Sequence, residues 1–233
     1  MSPRSTGASI LDLPTLEAAR ALLGWRLVRD DDTGRRVGRI VELEAYIGEG
    51  DLASHARFGR TARTEVMYGP PGRAYVYLVY GMHDCLNIVT EPDGRPAALL
   101  VRAIEPLEGA DLMRAARTER TRRRRAGGPA PLGPAVVGAG APDARLGAGP
   151  GLVCACFGLD RSLTGHDLLA PEAEIRIEPP PADERPPRIE TGPRVGIAYA
   201  GEPWTSRPWR FAIAGHPSLS RPSLVRPPNR QPA

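Results

Sequence analysis

Two glutamates and a tyrosine alternate along the run Val41-Glu42-Leu43-Glu44-Ala45-Tyr46. In a strand, alternate side chains share a face, so Ile40, Glu42, Glu44 and Tyr46 project to one side and Val41, Leu43 and Ala45 to the other. The second side reads as core. On the first, the Cα atoms of the two glutamates stand about 6.6 Å apart at strand rise. Two carboxylates so spaced beside a phenol ring are a poor arrangement for mere packing and suit general acid–base work. Arg102 joins them as a candidate partner, because it interrupts the otherwise apolar run from Ala97 to Ile104. An arginine in a buried strand needs a carboxylate or a ligand. Three of the six tyrosines, Tyr75, Tyr77 and Tyr80, crowd within six residues.

The elements that would position these groups are mostly strands. Leu13 to Leu23 has apolar residues at helical spacing, with Asp12 or Thr15 as N-cap and Gly24 as stop. Trp25 to Arg29 and Arg36 to Tyr46 read as a hairpin about the polar turn Asp30 to Gly34. The loop from Gly48 gathers Asp51, Ser54, His55, Arg57, Arg60 and Arg63 without a hydrophobic period. Such loops tend to carry function. Arg73 to Tyr80, Cys85 to Thr90 and Ala97 to Ile104 follow as strands, the last two joined by the turn Glu91-Pro92-Asp93-Gly94. A helix is expected from Pro106 through Ala116, its exposed side carrying a run of arginines. A short helix over Leu152 to Phe157 precedes strands near Glu174 to Glu178, Arg194 to Tyr199 and Trp209 to Ile213. This is an α+β, single-domain chain with a curved, mostly antiparallel sheet, flanking helices and long loops.

Length and composition set the limits. The 233 residues suffice for one large domain, and a domain over 8–216 is expected. A mobile basic and Gly/Pro-rich insertion at 118–148 and a disordered Pro/Arg-rich tail at 217–233 are expected around it. Up to Ala110 there are 13 arginines against 15 acids, and thereafter 18 against 12. The basic second half suits a polyanion. Three cysteines without a CxxC spacing argue against a disulfide framework, and no apolar stretch is long enough to span a bilayer. A soluble, cytoplasmic protein is the expectation. His55 with Asp51 supplies too few ligands for a metal.

The ordered motifs Glu44-Ala45-Tyr46, Asp51 to His55, Gly59-Arg60-Thr61, Tyr75 to Gly81, Leu86-Asn87, Leu99 to Ala103, Gly149-Pro150-Gly151, Arg194 to Ile197 and Pro208 to Phe211 resemble the alkyladenine (3-methyladenine) DNA glycosylase family. The resemblance covers nearly the whole chain apart from its ends and the insertion. It implies an enzyme that extrudes damaged purines from double-stranded DNA and hydrolyses the N-glycosidic bond; no cofactor or metal, a nucleoid-associated location and, by default, a monomer are the expectations that go with it. Residue by residue, it implies that Glu44 activates the attacking water and Arg102 helps to hold it. Tyr46, His55, Tyr77 and Asn87 would form the base pocket, and Tyr80 the wedge left in the duplex. One departure is Leu152, where the family usually has lysine. The chain contains no lysine at all. A glycosylase that also cuts the strand needs an amine for a Schiff base, so a monofunctional enzyme is expected. The residues also allow a lesion-binding protein without cleavage, or a hydrolase of free nucleosides working through the pair Glu42 and Glu44.

Overall fold

The computed structural model describes residues 10–127 and 143–221. Helix α1 (Thr15–Leu22) is followed by strands β1 (Arg26–Asp31), β2 (Gly34–Ile47), β3 (Ala74–Val79), β4 (His83–Val89) and β5 (Ala97–Glu108). Helices α2 (Ala110–Gly127) and α3 (Pro150–Phe157) come next, then the short strands β6 (Ile175–Glu178), β7 (Ile189–Gly192) and β8 (Arg210–Ile213). They form one curled antiparallel sheet in the order β3-β4-β5-β2-β1-β6, with β8 on β2 and β7 on β8. The fold is α+β, as expected.

Strand β2 is the axis of the sheet. Along one edge it pairs with β5; along the other it pairs first with β1, through Arg39, and then with β8, from Glu42 to Glu44. At the changeover the register with β5 slips twice: Ile40 opposes Ile104, Glu42 opposes Ala103 and Leu43 opposes Val101, which leaves Val41 and Arg102 without opposite residues. Each extra residue reverses the alternation locally. Ile40 therefore joins Leu43 and Ala45 in the main core, and Val41 packs with Ala103, Ala212 and Leu219 in a second cluster. Strict alternation had put Ile40 and Val41 on the reverse sides. Glu42, Glu44 and Tyr46 keep the face expected of them.

The two faces of the sheet have different tasks. Ala18, Ala19 and Leu22 of α1 and Val153, Cys154 and Phe157 of α3 close over Leu43, Val76, Leu86, Ile88, Leu99 and Val101. Residues one step out of phase point to the other face, where Tyr75, Tyr77, Cys85, Asn87, Leu100 and Arg102 surround a cavity.

Several boundaries differ from expectation. Pro106 lies in β5, opposite Gly38, and does not begin a helix. On the side of β5 away from β2, β4 reaches only Ala98 to Leu100 and Gly147 bridges Ile104, so among the described residues no strand faces the missing proline N–H. The helix starts after Gly109, whose φ is +71° and where a Cβ would stand 2.3 Å from the Arg35 carbonyl oxygen. It then continues through Gly127, past the expected start of the insertion. Residues 143–148 pack onto the sheet, with Gly147 bridged to Ile104; the rest of the insertion lies outside the described residues. Residues 217–221 likewise pack against the sheet, and Leu219 is buried. Arg194 to Tyr199 is not a strand. Gly196, at φ +78°, and a 3-10 turn over Ala198–Ala200 break it, and the strand lies earlier, at Ile189–Gly192.

Candidate active site

Both glutamates are fully buried, and their hydrogen bonds separate their roles. Glu42 Oε1 accepts from Arg102 Nε at 3.0 Å, Arg210 Nε at 2.7 Å and Ser220 Oγ at 2.8 Å, and Oε2 accepts from the Ser220 backbone N–H at 2.6 Å. Its acceptor capacity is spent on the protein. Glu44 Oε1 accepts from the Val195 backbone N–H at 2.7 Å and lies 3.2 Å from Arg102 Nη1, while Oε2 accepts from the Tyr46 hydroxyl at 2.9 Å. A carboxylate has about four lone-pair sites, so one is left for a water. Tyr46, Arg102 and Val195, the three residues that hold Glu44, all line the cavity.

Two carboxylates and two arginines make this cluster neutral. Burial works against the charge on Arg102, but Glu44 and Glu42 outweigh it and hold its pKa above the ordinary arginine range. Breaking such a buried set by removing one member is costly, because a charge is left without its partner.

The cavity has a volume of about 400 Å³. Its walls include Tyr46, His55, Tyr77, Asn87, Arg102 and, at the edge, Tyr80, so every expected pocket residue borders it. Tyr46 is backed by a cluster of arginines and indoles. The Arg194 guanidinium lies 4.8 Å from the Tyr46 ring centre and 4.9 Å from that of Trp209, Trp209 meets Trp204 edge to face at 5.8 Å, and Arg207 lies beside both indoles at 4.7 and 4.3 Å. Arg194 is fixed by a fully buried two-pronged pair with Asp51, at 2.6 and 2.9 Å. Asp51 also accepts from the backbone of Ile47 and Ala53, which ties the loop after β2 to the site. Burial, and then the neighbouring Glu44 carboxylate, push the Tyr46 hydroxyl well above the usual phenol range, so it stays a proton donor.

His55 opens a 3-10 turn (His55–Phe58) in which the Ala56 N–H donates to the Ser54 side chain at 3.1 Å. Its Nδ1 is 2.9 Å from the Tyr75 hydroxyl and its Nε2 is 3.3 Å from Arg63 Nη2. Arginine can only donate, so Nε2 accepts and the proton sits on Nδ1. Burial, then Arg63 and Arg57, depress the imidazole to a pKa of about 4. The ring is therefore neutral at pH 7. It meets the Tyr77 ring edge-on at 4.5 Å, and Arg63 lies 5.5 Å from the centre of that ring. Asn87 donates its amide to the carbonyls of Tyr75, at 3.0 Å, and Cys85, at 3.4 Å.

Tyr80 stands apart from the others. It is 82% exposed and has φ +52°, followed by Gly81 at φ +66°, with Met82 N–H donating to Val79 C=O at 2.9 Å. This is the geometry of a type I′ turn, which normally selects Asn, Asp or Gly. A bulky side chain in that region is uncommon and costs energy. The alternation along β3 ends at Val79, so the turn and not the strand aims Tyr80.

Some participants were not foreseen. Tyr75, expected to be an ordinary sheet residue, orients His55; its two-residue offset from Tyr77 already placed the two rings on one face. The Val195 N–H is available because this segment is not a strand. Ser220 carried no signal in a segment expected to be disordered.

A family model described as methylpurine-DNA glycosylase (MPG) matches residues 9–217. A protein of Methanocella arvoryzae, provisionally named a 3-methyladenine DNA glycosylase, is 45% identical over 210 residues, covering 90% of this chain and 92% of its own length. Relatives with the same provisional name from Anaeromyxobacter dehalogenans and Bacillus thuringiensis are 43% and 41% identical, over 89% of this chain and 81% and 94% of theirs.

Proposed function

The chain belongs to the methylpurine-DNA glycosylase family, hydrolases of N-glycosyl bonds, and from that premise we propose that it removes alkylated purines of the 3-methyladenine type from duplex DNA by base extrusion and attack of a Glu44-activated water. The observation that carries this reading is the Glu44 carboxylate itself. It is buried, held by Val195, Arg102 and Tyr46, retains one acceptor site, and borders the residues of an aromatic cavity.

Chemistry on a base inside a duplex requires that the nucleotide leave the stack, which is cheapest at a damaged pair. Tyr46 and Tyr77 offer ring faces to such a base at about 1–3 kcal/mol each, and Tyr80 fills the gap behind it. Glu44 then takes a proton from water while its charge stabilises the glycosyl cation that forms as the bond to the base breaks. Arg102 orients Glu44 and the water. A base methylated at N3 or N7 is already cationic and departs without a proton. His55, neutral down to a pKa of about 4, is not required as an acid for that class.

Free-nucleoside hydrolysis by a carboxylate pair fits less well, because Glu42 is consumed by Arg102, Arg210 and Ser220. The test is release of 3-methyladenine from methylated duplex DNA, with strand breaks scored before and after alkali. Breaks that appear only after alkali are expected, since no lysine is present to form a Schiff base. Tight lesion binding without release would leave a lesion-binding protein.

A further inference from the structure

We propose that Ser220, in the segment beyond β8, is a positioning residue of the active site, holding Arg102 in the one orientation that serves Glu44. The inference rests on the glycosylase reading above. Arg102 is planar, and each of its three nitrogens has a different partner: Nε donates to Glu42 at 3.0 Å, Nη2 to Ser220 Oγ at 3.1 Å, and Nη1 faces Glu44 at 3.2 Å. Three anchors in one plane fix the direction of the fork. Ser220 closes the arrangement, because its hydroxyl accepts from Arg102 while donating to Glu42 Oε1 at 2.8 Å. A serine hydroxyl has one proton to give and lone pairs to receive with, so this one oxygen satisfies both sides of the ion pair.

The backbone contributes as well. Ser220 N–H donates to Glu42 Oε2 at 2.6 Å, so the carboxylate is gripped at both oxygens by one residue. Arg145 Nη1 donates to the Leu219 carbonyl at 2.8 Å, and Leu219 is buried against Val41 and Ala103, the latter beside Arg102 in β5. The segment is thereby held onto the site at the double bulge. Val41 and Arg102 lack opposite residues there, and the direction of the Arg102 guanidinium is set by its contacts with Glu42, Glu44 and Ser220.

The test is single-turnover base release by Ser220→Ala and Ser220→Thr, alongside affinity for lesion duplex and thermal stability. Alanine keeps the N–H on Glu42 but frees Arg102 Nη2, and threonine restores the oxygen. The expected result is a rate about 10- to 100-fold lower in the alanine variant, the scale at which misplaced catalytic groups act. Its affinity should stay near wild type, its melting temperature should fall by only a few degrees for the unpaired Nη2, and threonine should recover most of the rate. An alanine variant at the wild-type rate would overturn the inference. So would a loss matched in affinity and stability and not rescued by threonine, which would mark Ser220 as a general structural contact. If the wild-type protein releases no base, the glycosylase reading fails and takes this inference with it.

Discussion

Replacing Tyr80 by glycine should make the protein more stable and a poorer enzyme. The ring is 82% exposed, so folding gains little from it, yet its backbone sits at φ +52°. A side chain in that left-handed region costs about 1–2 kcal/mol, which glycine does not incur. Gly-Gly is moreover a favoured pair for this turn. For a chain of this size 1 kcal/mol moves the melting temperature by roughly 2–4 °C, so Tyr80→Gly should melt a few degrees higher. Excision should move the other way. A lost ring–base stack of about 1–3 kcal/mol corresponds to about a 5- to 150-fold slower release from duplex DNA. A lesion in single-stranded DNA has no gap to fill and should lose much less, and Tyr80→Phe should behave as wild type. Calorimetry without DNA and single-turnover release on both substrates measure the two halves. A lower melting temperature would refute the strain argument, and undiminished duplex excision would refute the wedge.

Asp51→Asn leaves the buried Arg194 charge without its counter-charge behind Tyr46, at a cost of about 3–5 kcal/mol, and calorimetry should record a large fall in melting temperature; an unchanged value would show that the stacked rings alone hold Arg194. The His55 imidazole should titrate near pH 4 by NMR, and higher in Arg63→Gln. Because folding lowers that pKa from 6.5 to about 4, the unfolded chain binds the extra proton first, so the His55 contribution to stability is complete above pH 6.5 and lost as pH falls toward 4. A His55→Asn variant should lose less stability over that window, as acid melting curves would reveal.

The alternation of Glu42, Glu44 and Tyr46 made their shared face legible from the chain alone, and Tyr46, Tyr77, Asn87 and Arg102 reach one cavity from positions on β2 to β5, whereas His55 is brought there by the 3-10 turn after β2. The double bulge was not legible. Nothing in Ile40-Val41-Glu42 differs in residue type from a regular strand, and the slip follows from β2 exchanging β1 for β8 along its edge, a tertiary event. Pro106 misled as a helix start because proline opens helices more often than it ends strands; that no described strand lies beside Pro106 on the side away from β2 is visible only in the sheet. Arg194 to Tyr199 has the apolar content of a strand, yet Gly196 and the preceding Pro193 interrupt it, and the irregular backbone directs the Val195 N–H at Glu44. Composition likewise concealed Ser220, since a Pro/Arg-rich stretch reads as solvated until a buried carboxylate is found waiting for its hydroxyl.

The central claim is that Glu44, and not Glu42, removes the proton from water. Single-turnover release of 3-methyladenine from methylated duplex by wild type and Glu44→Gln, with duplex affinity measured in parallel, tests it most directly. Glutamine preserves the size of the side chain and cannot take the proton. The expected outcome is near-normal binding of the lesion duplex with release slowed by about 100-fold or more, the scale of a lost general base. Equal rates in the two proteins would contradict the account and place the catalytic base elsewhere.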